Sequence, residues 1–83
     1  MNKLKLLIVD DEANMRHMLK ALLERHGYEI ATAEHGLSAL SLVAENQYDF
    51  ILCDVKMPVM DGLTFLDEAK TYLDGTSIIM ISA

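Results

Sequence analysis

Residues 4–11 read LKLLIVDD, a short and mostly apolar run that ends abruptly at two aspartates. A run of this length without polar alternation is typical of a strand buried on both faces of a parallel sheet. Residues 12–26 then follow a helical period, with apolar side chains recurring on one face at Met15, Met18, Leu19, Leu22 and Leu23. This stretch therefore predicts the first strand and first helix of an α/β fold.

The same alternation continues along the remaining residues. Apolar runs at 28–33, 48–55 and 78–81 predict three further strands, and helical patterns cover 36–44 and 63–73. The order β-α-β-α-β-α-β predicts a parallel sheet with right-handed crossovers and helices on both faces. Residues 1–83 contain no repeat or linker, so we expect a single domain.

Composition narrows the classes of function. Thirteen acidic against seven basic residues give a formal charge of −6, which argues against contact of this segment with nucleic acid or with anionic membranes. The single cysteine excludes an internal disulfide and a cysteine-based zinc site, and it fits a cytoplasmic location. No apolar run reaches the roughly 20 residues of a membrane span.

Polar side chains gather where the predicted strands end. The first strand ends at Asp10 and Asp11, the third at Asp54, and the fourth at Ser82 and Ala83. Ligands of open α/β sheets bind beyond the carboxyl ends of the strands, so we expect three carboxylates and a hydroxyl at one edge. Carboxylates this close repel one another unless a cation is present, and oxygen ligands suit Mg²⁺ or Mn²⁺. Such a carboxylate can be a metal ligand or a nucleophile toward a phosphoryl group.

Helix capping is an alternative explanation for Asp11 alone, because an Asp between a strand and a helix often only caps the helix. Capping does not explain the three acids together, because a loop containing Pro58 follows Asp54.

Three stretches carry a resemblance to a known family: LIVDDE at 7–12, DVKMPVMDG at 54–62 and IMISA at 79–83. Over its whole length the chain resembles the receiver domain of two-component response regulators. The resemblance implies a flavodoxin-like fold, Mg²⁺ as cofactor and a sensor histidine kinase as partner. It also implies that Asp54 is both a metal ligand and the phosphoacceptor.

The resemblance assigns the remaining site residues one by one. Asp11 matches the carboxylate that binds Mg²⁺ directly, and Asp10 matches the one that supports the ion, commonly through water. The backbone carbonyl of Lys56 matches the third protein ligand. Ser82 matches the hydroxyl that bonds the phosphoryl oxygen and senses phosphorylation, and Ala83 matches the small residue that leaves room for it.

The chain departs from the family pattern after the fourth strand. Receiver domains have five strands and five helices, so the last helix, strand and helix have no counterpart, nor has the lysine that ends strand five; Lys56 and Lys70 do not occupy that position. We therefore expect a fragment of a longer regulator, with a natural mini-receiver as the alternative. The fourth strand would be a bare apolar edge, and the face of the first helix that a fifth helix would cover would be exposed. Both features predict self-association. Without that lysine, we expect slow phosphorylation and a weak switch.

Three functions remain open on the sequence. The first is a phosphoacceptor domain that is a switch and not an enzyme, and that controls a transcriptional output domain expected outside these 83 residues. The second is a Mg²⁺-dependent phosphatase with an aspartyl nucleophile, although such enzymes carry an Asp where this chain has Lys56. The third is an acidic binding or dimerisation module, or an inactive fragment, that is never phosphorylated.

Other notable residues receive structural interpretations. His17, His26 and His35 share no spacing suited to a metal, and Cys53 is expected to be a small core residue. Arg16 is grouped with the solvated basic side chains, although it is expected to lie near the acidic edge. Because kinase docking in the family uses the first helix, Arg16, Met15 and Met18 are also candidates for kinase contact.

Overall fold

A computed structural model of the chain describes residues 3–55 and 60–81. Its elements follow the predicted order, with the bounds β1 (Lys5–Val9), α1 (Ala13–Arg25), β2 (Glu29–Ala33), α2 (Gly36–Glu45), β3 (Phe50–Asp54), α3 (Gly62–Ala69) and β4 (Ser77–Ile81). All pairings are parallel, and the strand order is β2-β1-β3-β4. The predicted flavodoxin-like α/β fold is confirmed. The last turn of the predicted third helix differs, because Lys70–Tyr72 tighten into a 3₁₀ turn.

The core lies between the sheet and helices α2 and α3. Strand β1 is buried on both faces from Leu6 to Val9, as its apolar run predicts. Phe65 of α3 is completely buried. A cluster of buried side chains joins it to β1, β3 and α2 through Leu7, Val9, Ile51, Cys53, Ala39, Val43 and Ala69. Cys53 is therefore a core residue, as expected. This packing holds the carboxyl ends of β1 and β3 side by side.

The opposite face of the sheet is only partly covered. Helix α1 lies against β1 and β2, yet in the described chain none of its residues is fully buried. Met18 is 55% exposed, and Ile79 on β4 is 50% exposed. Met15, Met18 and Leu22 are exposed, in agreement with the expectation that part of α1 is left uncovered where the family has a fifth helix.

Two glycines close the turns that lead into strands. Gly27, with φ of +91°, follows α1 and donates its N–H to the Glu24 carbonyl, and Gly75, with φ of +80°, precedes β4. Both conformations are strained for residues with a Cβ. None of the helices in residues 3–55 and 60–81 combines the length and the apolar character needed to cross a membrane.

Candidate metal centre

Three carboxylates meet at the carboxyl edge of the sheet. Val9 is in register with Cys53 on the neighbouring strand, so Asp10 and Asp54 end adjacent strands, and Asp11 follows in the turn. One oxygen of each carboxylate lies within 4.8 Å of the other two. Asp10 is 8% exposed, Asp54 is half-buried and Asp11 is exposed. The convergence predicted from the strand ends is confirmed for these three residues.

The turn between β1 and α1 fixes Asp10 through both backbone and side chain. Its N–H donates to the Ala33 carbonyl at 3.1 Å, and its Oδ1 accepts the Glu12 N–H at 2.9 Å. Helix α1 begins after Glu12, whose side chain makes no capping bond with any residue that the structure describes. The N-cap residue of α1 is Glu12 and not Asp11, so the capping alternative for Asp11 is wrong.

Arg16 lies beside the acidic cluster, as expected, but its contact with Asp10 was not predicted from the sequence. Its Nη1 donates to the backbone carbonyl of Asp10 at 2.7 Å, and the side chain is half-buried. The grouping of Arg16 with solvated side chains is therefore wrong, because the guanidinium reaches back across the turn. Its place one turn into α1, six residues after Asp10, was the available signal. Met15 and Met18, the other two candidates for kinase contact, are exposed.

The other side of the site is set by a close approach between α3 and β3. Gly62 donates its N–H to the Val55 carbonyl at 2.9 Å. A Cβ on Gly62 would lie 2.5 Å from the Asp54 carbonyl oxygen, so only glycine fits there. Asp61 caps α3 by accepting the Thr64 N–H at 2.7 Å, and this hydrogen bond lowers the pKa of the Asp61 carboxyl.

Cys53 lies next to the acidic cluster in sequence but belongs to the core. Burial, followed by the charges of Asp54 and Asp10, raises the pKa of its thiol to about 12. The thiol therefore stays protonated at neutral pH. It does not compete with the carboxylates as a nucleophile or as a metal ligand.

The described residues test some predicted roles and leave others as predictions. Lys56, Ser82 and Ala83 lie outside the described residues, so their roles remain predictions. Among residues 3–55 and 60–81, the three aspartates form the one group of three or more His, Cys, Asp or Glu side chains close enough to hold a metal ion. His35 instead caps α2, because its Nδ1 accepts the Ser38 N–H at 3.2 Å. An all-oxygen donor set of this kind fits Mg²⁺ or Mn²⁺.

Comparison with known proteins decides the family. The model of the response regulator receiver domain matches residues 6–83. The chain belongs to this family. It is 44% identical over 80 residues to the chemotaxis protein CheY of Bacillus subtilis, covering 95% of the present chain and 67% of that protein. It is 40% identical over 78 residues to the transcriptional regulatory protein ZraR of Klebsiella oxytoca, covering 94% of this chain but 18% of the relative.

Solved receiver structures share the fold of this chain. The response regulator TrrA of Thermotoga maritima, solved in complex with Mg²⁺ and BeF, has a TM-score of 0.88 at 39% identity, with 96% of this receiver and 70% of TrrA covered. A receiver domain from Methanospirillum hungatei has a TM-score of 0.93 at 30% identity, with 98% and 65% covered. These neighbours support the assignment of the fold.

Proposed function

We propose that this receiver domain accepts a phosphoryl group on Asp54 from a sensor histidine kinase, with a divalent cation at the acidic cluster. The observation that carries the proposal is the approach of the Asp10, Asp11 and Asp54 carboxylates to within 4.8 Å of one another. Three negative charges at this spacing attract a divalent cation strongly. The TrrA complex with Mg²⁺ and BeF supports the choice of ion.

The cation and the chain divide the chemistry between them. Asp10, Asp11 and Asp54 would hold the ion, together with the Lys56 carbonyl that the family resemblance assigns. When bound, the ion neutralises charge on the phosphoryl oxygens. Asp10 is nearly buried and held by the Glu12 N–H, so its carboxylate enters the site already oriented.

Phosphoryl transfer then needs one bond formed and one broken. An Asp54 oxygen attacks the phosphorus of the phosphohistidine, the P–N bond breaks, and the imidazole nitrogen of the kinase takes up a proton. The product is an acyl phosphate on Asp54. Ser82 donates a hydrogen bond to a phosphoryl oxygen, and Ala83 leaves room for the group. This local change in charge biases the conformation of the neighbouring loops.

The domain acts in this proposal as a switch in phosphorelay signalling and not as an enzyme with a turnover substrate. ZraR and ResD are named transcriptional regulatory proteins, and this favours transcription regulation as the output. The chain spans less than a fifth of ZraR, so the output belongs to the proposal. We place the protein in the cytoplasm, where a kinase can reach it, and expect no contact of this acidic segment with nucleic acid or membrane.

Intact-mass spectrometry tests the proposal most directly. The 83-residue chain is incubated with Mg²⁺ and acetyl phosphate beside Asp54→Asn and a matched surface variant, Asp67→Asn, which loses an exposed carboxylate of α3. We expect the mass of one phosphoryl group on the wild type and on Asp67→Asn, and none on Asp54→Asn. An unmodified wild type would favour the acidic binding module. Steady release of inorganic phosphate, measured in the same reaction, would favour the phosphatase.

We also propose that the 83-residue chain self-associates through β4. Ser77 donates its N–H to the Asp49 carbonyl, and Ile81 accepts the Val55 N–H, so both face β3. By strand alternation, the backbone groups of Ile78 and Met80 face the other side, where no described strand pairs with them. The strand carries no charge or proline that would protect this edge.

Light scattering measures this directly. At tens of micromolar we expect a mass above the monomer, returning to the monomer in Ile79→Lys, because a lysine on a five-residue edge strand opposes pairing. Leu63→Lys is the matched control, since Leu63 is also an exposed apolar residue but lies on α3. A monomeric mass for the wild type contradicts the proposal.

A further inference from the structure

Arg16 occupies a position that helix electrostatics disfavours. It is the fourth residue of α1, and a cation near the N-terminus of a helix opposes the helix dipole. Its side chain is nonetheless half-buried, and it turns back toward the end of β1. A long charged side chain held in this way loses rotamer freedom, so the contact that it makes has to compensate for both costs.

The contact closes a ring of three hydrogen bonds around the β1–α1 turn. The Arg16 guanidinium donates to the Asp10 carbonyl at 2.7 Å, and the Arg16 backbone N–H donates to the Glu12 carbonyl at 3.1 Å. The Glu12 N–H in turn donates to the Asp10 carboxylate at 2.9 Å. Asp11 lies between Asp10 and Glu12, which are both held by this ring. The first turn of α1 therefore fixes the segment that supplies two of the three carboxylates.

The guanidinium bonds a carbonyl and not a carboxylate, and this distinction matters for a cation site. An arginine paired with an Asp10 carboxylate oxygen would compete with a divalent cation for that oxygen. Through the backbone carbonyl, Arg16 orients the segment without taking up a metal-ligand atom. Groups that orient metal ligands in this way are usual around metal sites.

We propose that Arg16 is a positioning residue that presets Asp10 and Asp11 for the divalent cation. The assignment rests on the cation site of the proposed function. The direction in which cation affinity changes when Arg16 is replaced distinguishes this role from a purely electrostatic one. If Arg16 orients the ligands, its loss weakens cation binding. If Arg16 acts only as a nearby positive charge, its loss removes a repulsion and tightens cation binding.

The experiment measures the Mn²⁺ dissociation constant by electron paramagnetic resonance for the wild type, Arg16→Gln, Arg16→Lys, Arg25→Gln and the site variant Asp11→Asn. We expect Arg16→Gln to bind about tenfold more weakly, as for other groups that orient metal ligands. Arg16→Lys should recover part of the loss, because the ammonium keeps a donor and the charge. Arg25→Gln, which removes a charge from the last turn of the same helix, should bind like the wild type.

Each other outcome is decisive. Unchanged affinity in Arg16→Gln, or tighter binding, overturns the positioning role while leaving the cation site intact. Wild-type binding no stronger than that of Asp11→Asn overturns the cation site and this assignment together. Circular dichroism on the same samples checks folding. If Arg16→Gln fails to fold, Arg16→Lys decides: cation binding weaker than that of the wild type supports the assignment, and wild-type or tighter binding overturns it.

Discussion

Replacing Gly62 with alanine tests how closely α3 approaches the strand that carries Asp54. A Cβ there would lie 2.5 Å from the Asp54 carbonyl oxygen and 3.0 Å from Val55 Cα, both backbone atoms, and 2.6 Å from the Met80 methyl. The methionine end can move aside, but the backbone of β3 is held in the sheet. Since ordinary contact begins at 3.4 Å, helix and strand have to separate by about 0.9 Å.

That separation has a definable free-energy cost. It stretches the 2.9 Å bond from Gly62 N–H to the Val55 carbonyl beyond hydrogen-bonding distance, a loss of about 1 kcal/mol. Overpacking adds about 1–3 kcal/mol, and the better helix propensity of alanine returns at most about 1 kcal/mol. We therefore expect Gly62→Ala to lower the free energy of unfolding by about 1–3 kcal/mol. The total stability of a domain of this size is roughly 4–12 kcal/mol, so the variant should still fold.

Urea denaturation followed by circular dichroism measures the effect. The matched control is Leu63→Ala at the next position of the helix, where the side chain is 63% exposed and the change should stay within about 0.5 kcal/mol. The unfolding temperature of Gly62→Ala should fall by about 5–20 °C. A Gly62→Ala variant as stable as Leu63→Ala would refute the close approach and the fixed position of Asp54 that follows from it.

Three further predictions concern the cation, the thiol and the helix cap. Mg²⁺ at about 100 times its dissociation constant should stabilise the wild type by about 2.7 kcal/mol, and Asp11→Asn should lose this gain while the exposed-surface control Glu24→Gln keeps it in thermal unfolding. Cys53 has a pKa raised to about 12, so alkylation at pH 8 should be slow and should accelerate in urea; rapid native labelling would contradict its burial. The pKa of the Cys53 thiol is higher in the folded chain than its unfolded value of about 8.5. The unfolded chain therefore loses this proton first, and the free energy of unfolding should fall as pH rises above about 8.5. Asp61 has a lowered pKa, so its stabilising effect is present above about pH 3.9 and is lost as pH falls through the folded value; Asp61→Asn, which still caps α3, should show a flatter acid limb of unfolding.

The acidic cluster could be predicted from the sequence because its geometry follows from topology. Once β1 and β3 are recognised as neighbouring parallel strands, the acids that end them have to meet, and Asp10, Asp11 and Asp54 do so. The flavodoxin-like order followed from the alternating periods in the same way. Strand ends and helix periods are local properties that the chain displays directly.

The contacts that periodicity does not encode escaped prediction. Arg16 is polar and lies one turn into an amphipathic helix, so its pattern is that of a solvated side chain; its bond to the Asp10 carbonyl depends on how the turn folds back. The exposure of Met18 on α1 was expected only from the family pattern, because a helical stripe has the same sequence pattern whether or not another helix covers it. His35 caps α2 with a ring nitrogen, a role for which histidine is not the usual residue.

The three carboxylates come from distant parts of the sequence, so the site exists only when the central strands are paired. Asp10 and Asp11 are adjacent, but Asp54 comes more than forty residues later and arrives through the pairing of β1 with β3. An unfolded chain rarely brings such distant residues together, because closing a loop of that length costs conformational entropy. Separation of β1 from β3 disperses the three carboxylates, whereas fraying of the edge strands β2 or β4 leaves the pairing of β1 with β3 in place. The cation would then bind only while β1 and β3 are paired, and a higher concentration of free ion would make separation of these two strands rarer.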